Sequence, residues 1–169
     1  MPDIVTIRST LDPTDRTAAC LLNWGPIEAL LTPTKTLATA RDLMAAAAHA
    51  ESDIAFLQMC REELRLDEQT AGQMLLDIRG RRPAPPTPAA LRIQAVAGYN
   101  TRRPYVHIAR GSQTGSLTPD EAREMAQHWT EAAVAAQIDV RLRYVLGDVP
   151  HLTPADIEDV FTRLQKVQR

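Results

Sequence analysis

The sequence predicts an α+β protein built by internal tandem duplication of a strand–strand–helix–helix unit, folded as a pseudo-twofold dimer within one chain. First, Leu31-Thr32-Pro33 recurs as Leu117-Thr118-Pro119, 86 residues later. Second, the same offset aligns residues 31–66 with 117–152 without a gap, and nine of these 36 positions are identical. Third, each half begins with apolar residues at every second position, which is typical of strands, and continues with apolar residues at three- and four-residue spacing, which is typical of helices. Fused duplicates of this kind usually pack about a shared dyad.

Each half begins with two predicted strands. In the second half, apolar residues alternate over 91–97, turn-forming residues occupy 98–104, and another strand follows at 105–109. The first-half counterparts are Ile4–Ile7 and Ala18–Leu22. Both pairs are predicted to form β-hairpins, and the hairpin of the second half has a wide basic tip.

A long helix is predicted after each hairpin. Thr118 and Glu121 have the spacing of a capping box, and the first half has Lys35 in place of the glutamate, which predicts a weaker cap there. Residues 138–145 alternate as a half-buried strand would, whereas their repeat partners at 52–60 have helical spacing. The repeat therefore favours a helix at 138–145.

A shorter helix closes each half, one following Asp67 and one opened by Thr153. The Pro-rich segment 84–88 is predicted to be a stiff, extended linker that separates a first repeat at 1–83 from a second at 89–169. The core draws largely on alanine, which buries little area per residue. We therefore expect the two repeats to pack as one globular unit.

The composition is typical of a soluble globular protein. Hydrophobic residues make up 44% of the chain, charged residues 24%, and the net charge is −2. No apolar run approaches the length of about 18 residues that a membrane span needs. No secretory leader is recognisable either, so we expect a cytoplasmic protein without membrane contact. Cys20 and Cys60 form no metal or redox motif and are predicted to be buried hydrophobic residues.

Catalytic, metal-binding and nucleotide-binding motifs are not recognisable in the sequence. The four histidines are not spaced as ligands of one metal, and neither cofactor nor metal is expected. One enzymatic interpretation stays open as an alternative. Asp53 and Asp139 are paired by the repeat and would share a proton if the dyad brought them together. His107 is a further candidate on its predicted strand.

Arginine is concentrated in one stretch. From Ile78 to Pro119 there are seven arginines and no acidic residue. The predicted nucleic-acid-binding or partner-binding residues are Arg79, Arg81, Arg82, Arg92, Tyr99, Asn100, Arg102, Arg103 and Arg110. Arginines on a two-stranded ribbon suit phosphate or guanine in the major groove. Against a symmetric DNA reader, the first hairpin turn carries Asp12 and Asp15, and arginines also pair with acidic side chains elsewhere on a surface.

These observations favour a non-enzymatic binding or adaptor protein that acts through a helical face or through the Arg-rich hairpin. The alternative is a DNA-binding accessory or regulatory protein that uses the basic hairpin, and the second alternative is an enzyme with its site at the repeat interface. The partner is a protein or a nucleic acid, and the sequence does not decide between them. We expect a monomer of pseudo-dimeric architecture, with further oligomerisation left open.

Overall fold

The computed structural model describes residues 5–98 and 100–167 and has an α+β fold. These residues form two three-stranded antiparallel sheets and four helices. The first half contains β1 (Thr6–Leu11), β2 (Ala18–Trp24), β3 (Ile27–Leu31), α1 (Pro33–Glu62) and α2 (Glu68–Gly80). The second half contains β4 (Arg92–Ala97), β5 (Pro104–Arg110), β6 (Gln113–Leu117), α3 (Pro119–Gly147) and α4 (Pro154–Val167). No helix in the described ranges is both long and apolar enough to cross a bilayer.

Each half has three strands, so the predicted unit of two strands and two helices is wrong in strand number. All five elements of the second half begin 86 residues after their counterparts in the first. The missed strands, β3 and β6, follow tight turns that open at Gly25 (φ +53°) and Gly111 (φ +57°). Glycine adopts such angles without a Cβ clash, and these turns join neighbouring antiparallel strands.

The predicted hairpins and helix starts are present. Thr118 and Glu121 form the capping box, and the Thr32 side chain accepts a hydrogen bond from the Lys35 backbone N–H. Residues 138–145 lie within α3, which confirms the helix favoured by the repeat. Of the predicted first strand, Ile4 lies outside the described residues.

Each long helix packs mainly on the sheet of the opposite half. Helix α1 lies against β4 and β5, and α3 lies against β1 and β2. The two helices also pack on each other in opposite directions. Glu51, late in α1, pairs with Arg123 near the start of α3, while Leu37, early in α1, packs in a cluster with Ala133 and Ala136. Neither sheet is therefore covered chiefly by its own helix.

Small side chains line much of this helix pair. The buried alanines at equivalent positions of the two helices are Ala40, Ala46, Ala47 and Ala50 in α1 and Ala126, Ala132, Ala133 and Ala136 in α3. Because helix separation depends on the side chains at the contact, alanine permits close approach. Bulk is supplied by Trp24 and Trp129, which lie in one core cluster with residues from both halves. Cys20 and Cys60 are free and buried, as predicted.

The tips of the β1–β2 and β4–β5 hairpins have the same backbone arrangement. The Asp12 N–H donates to the Thr17 carbonyl at 2.9 Å, and the Gly98 N–H donates to the Arg103 carbonyl at 2.9 Å. Arg16 (φ +59°) and Arg102 (φ +52°) both adopt the left-handed conformation that is costly for residues other than glycine. Each tip thus holds an arginine in an unfavourable backbone conformation.

Candidate functional site

A pocket of about 160 Å³ lies where α1 and α2 of the first half meet the β4–β5 tip of the second half. Its surface is largely apolar, with three arginines and one glutamate among the lining side chains. The lining residues are Ile54, Leu57, Gln58, Arg61, Leu66, Glu68, Ala71, Gly72, Leu75, Arg79, Ala97, Gly98 and Arg102. The crossing of the two halves creates this pocket, because neither half alone supplies both walls.

Asp53 fixes one wall of the pocket. Its carboxylate is 1% exposed and accepts a hydrogen bond from Arg79 Nε at 2.9 Å. Arg82 pairs with the other carboxylate oxygen. These contacts tie the end of α2, and Arg82 just before the Pro-rich segment, to the second half of α1. Since two guanidiniums share one carboxylate, the cluster keeps one net positive charge beside the pocket.

A second, wider groove of about 610 Å³ lies on the other side of Arg79, between α1, the Pro-rich segment and β4. Arg82 and His49 line it. Burial, followed by the charge of Arg82, lowers the pKa of His49, so the imidazole is neutral at pH 7. Arg41 at its edge pairs with Asp42 at 2.8 Å. The positive charge of the arginines that line this groove is therefore partly neutralised.

Several of the predicted binding arginines are held by acceptors within the protein. Arg79 and Arg82 bind Asp53, and Arg110 donates to the Ala90 carbonyl at 2.6 Å. Arg92 lies on β4 in a shallow groove that Asp42 also lines. These contacts position the Pro-rich segment and the edge of the second sheet.

The other described residues of the predicted set are exposed. Arg81 follows α2, and Asn100, Arg102 and Arg103 lie at the β4–β5 tip. Within ranges 5–98 and 100–167, the guanidiniums of these three arginines make no ion pair. Only Arg102 among them lines the pocket. Tyr99 lies outside the described residues. The assignment of the nine residues as a binding surface stays a prediction.

Asp53 and Asp139 are not neighbours. Because α1 and α3 run in opposite directions, positions 53 and 139 lie towards opposite ends of the helix pair. Burial raises the pKa of Asp139, opposed by the charge of Arg143, while Asp53 binds its two arginines. The condition for sharing a proton, that the dyad brings the two carboxylates together, is therefore not met. His107 lies on β5 between Gln94 and Ser116.

No metal site accompanies the pocket in the described ranges, which hold no group of three or more histidine, cysteine, aspartate or glutamate side chains able to bind an ion. Sequence reasoning missed Arg61, Gly72 and Leu75 as pocket residues. The repeat offered a signal, since Gly72 aligns with Glu158 and Leu75 with Phe161 at the 86-residue offset.

Comparisons of the chain with protein-family models, with curated proteins and with solved structures found no match. The geometry of the site is therefore the basis for the functional argument.

Replacing Asp53 with Asn should lower the free energy of unfolding by about 3 kcal/mol, because two partly buried guanidiniums lose their shared carboxylate. Urea unfolding measures the change. Asp42→Asn is the matched control, since it removes a more exposed pair with Arg41 and should cost less than about 1 kcal/mol. Equal, small losses in both variants would show that the Asp53 cluster does not hold α2 in place.

Asp139→Asn should stabilise the protein at neutral pH. Burial raises the pKa of Asp139 above its ordinary value of 3.8 in the folded chain, so the ionised carboxylate favours the unfolded chain. The difference between variant and wild type should appear as pH rises through the folded pKa and vanish below 3.8, where both states are protonated. Thermal unfolding between about pH 3 and pH 8 measures it. A less stable variant at pH 7 would contradict the assignment.

Proposed function

We propose that this chain is a non-enzymatic binding protein that recognises an anionic partner at the pocket between α1, α2 and the β4–β5 tip. The observation that carries the proposal is an arginine, Arg102, at an apolar pocket and without an ion pair among the described residues. Apolar pockets with a few convergent polar groups are the usual form of a ligand site.

The charges around the pocket favour an anion. Arg61, Arg79 and Arg102 face one glutamate, Glu68, which lies 3.8 Å from Arg61. Asp53 is shared between Arg79 and a second arginine outside the pocket and so leaves positive charge behind. A cleft with apolar walls and one dominant sign of charge attracts ligands of the opposite sign.

Tandem duplication is part of this proposal. The constant 86-residue spacing and the reciprocal packing of α1 and α3 are what fusion of a symmetric dimer would produce. After duplication, one copy of each equivalent site is free to change. In this account, the position between α1, α2 and the β4–β5 tip has kept an open pocket among the described residues, and its equivalent in the other half has diverged from it.

DNA binding is the second candidate function, and the exposed Arg81, Arg102 and Arg103 favour it. It ranks lower because Arg79, Arg82 and Arg110 already bind acceptors inside the protein. Each phosphate contact that is lost reduces the counterion release on which non-specific affinity depends. The enzymatic alternative is less favoured, because Asp53 and Asp139 lie apart and do not form a pair.

Nitrogen-15 NMR of the full chain with matched anionic, neutral and cationic fragments tests the proposal. Anionic fragments should shift amides in residues 54–79 and 97–102, where the pocket concentrates positive charge, and neutral or cationic fragments should not. Gly72→Glu, which places a carboxylate in the pocket, should abolish the shifts. Gly80→Glu, which adds the same charge to α2 outside the pocket, should preserve them.

The DNA-binding alternative is tested by measuring the affinity of the same protein for duplex DNA at about 50 and 200 mM salt. Micromolar binding that weakens steeply with salt and is lost in Arg102→Glu/Arg103→Glu would replace the proposal with the DNA-binding alternative. The pocket proposal expects no such binding. Failure of every anion to shift the pocket amides would overturn it.

A further inference from the structure

We propose that the pocket takes a small monocarboxylate whose apolar body has about the size of one ring. This inference rests on the proposed function and adds the chemical class of the ligand. It is drawn from the equivalent position in the other half, where a carboxylate and an aromatic ring stand at the positions that Gly72 and Leu75 hold here.

In the second half, α3 and α4 meet the β1–β2 tip. Arg16 at that tip donates from Nη2 to Glu158 Oε1 at 3.1 Å, and Glu158 also accepts from Arg143. The guanidinium carbon of Arg143 lies 4.0 Å from the centre of the Phe161 ring. Phe161 and Ile157 are buried beneath it. A carboxylate beside an arginine and an aromatic ring therefore occupy this site.

In the first half, the corresponding side chains are smaller. Gly72 stands at the position of Glu158, Leu75 at that of Phe161, and Ala71 at that of Ile157. A Cβ added at Gly72 would meet no atom within 4 Å, so the space is open. Among the described residues, Arg102, the equivalent of Arg16, consequently has no carboxylate partner in the place of Glu158. The groups that this half lacks are a carboxylate, a ring and the Arg143 guanidinium, whose position is taken by the pocket residue Leu57.

The size of the pocket limits the ligand. A volume of about 160 Å³ is close to that of cavities lined by aliphatic side chains that bind benzene. Leu57 and Leu75 supply apolar surface for such a body. A single ring or a branched chain of similar volume fits within the pocket, whereas a ligand as large as a nucleotide would project from it into solvent.

The polar groups select a single negative charge. The Arg102 guanidinium can bind a carboxylate with two parallel hydrogen bonds. Glu68 lies 3.8 Å from Arg61 and offsets the charge of that arginine, and Arg79 is held by Asp53. Among the described lining residues, Arg102 is therefore the guanidinium that can bind one carboxylate.

Phenylacetate is the probe, titrated into the nitrogen-15-labelled full chain. Saturable shifts are expected in residues 54–61, 71–79 and 97–102. Phenylacetamide, which lacks the charge, and acetate, which lacks the ring, should each bind at least about tenfold more weakly. Inorganic phosphate serves as the doubly charged comparison and should bind more weakly than phenylacetate.

Two variants and their matched controls locate the site. Arg102→Gln should weaken phenylacetate binding at least about tenfold, because a charge-assisted hydrogen bond is lost, whereas Arg16→Gln, at the equivalent tip, should leave it unchanged. Gly72→Glu should abolish binding and raise the melting temperature by closing the pocket as Glu158 does. Gly80→Glu should leave binding intact.

Equal affinity for phenylacetate and phenylacetamide would overturn the inference. Unchanged phenylacetate binding in Gly72→Glu would overturn it too, as would shifts confined to the indole N–H groups of Trp24 and Trp129. Pocket shifts with phosphate but not with phenylacetate would reject the monocarboxylate and leave the proposed function standing. Absence of pocket shifts with every anion would reject both.

Discussion

The packing of α1 against α3 is the contact on which the other features of this structure depend. Because the two helices run in opposite directions and cross between the halves, each comes to lie on the sheet of the other half. Alanines at equivalent positions make close approach possible, and a single core cluster includes residues of both halves. Larger side chains at these positions would force the helices apart and uncover both sheets. The hydrophobic cores of the halves are therefore not separable.

The same crossing creates the two places where a hairpin tip of one half meets the helix pair of the other. Their frameworks match in backbone conformation, including the left-handed arginines Arg16 and Arg102. What differs is how the space between tip and helices is filled. At one site Glu158 pairs with Arg16 and stands near the buried Phe161, whereas at the other Gly72 and Leu75 hold these positions and line an open pocket. A few changes of side-chain size thus convert a structural contact into a candidate binding site without altering the fold.

Much of the fold could be predicted because its signals are local. The capping box at Thr118 and Glu121, the hairpins and the helices follow from patterns within short segments. The strands β3 and β6 were missed although the glycine turns before them are typical of hairpins. Strand β6 has one apolar residue, Leu117, and therefore no alternating apolar pattern. The site was harder to predict, since Asp53 acquires its arginines only when α2 folds back on α1. The direction in which α1 and α3 cross is a tertiary property, and it separates Asp53 from Asp139.

Separate expression of residues 1–83 and 84–169 tests the shared core most directly. Each fragment carries one buried tryptophan, so circular dichroism and tryptophan fluorescence report on both. If each sheet needs the helix of the other half, neither fragment should unfold cooperatively as a monomer, whereas an equimolar mixture should form a one-to-one complex with a single cooperative transition. Cooperative unfolding of either fragment as an isolated monomer would contradict the account.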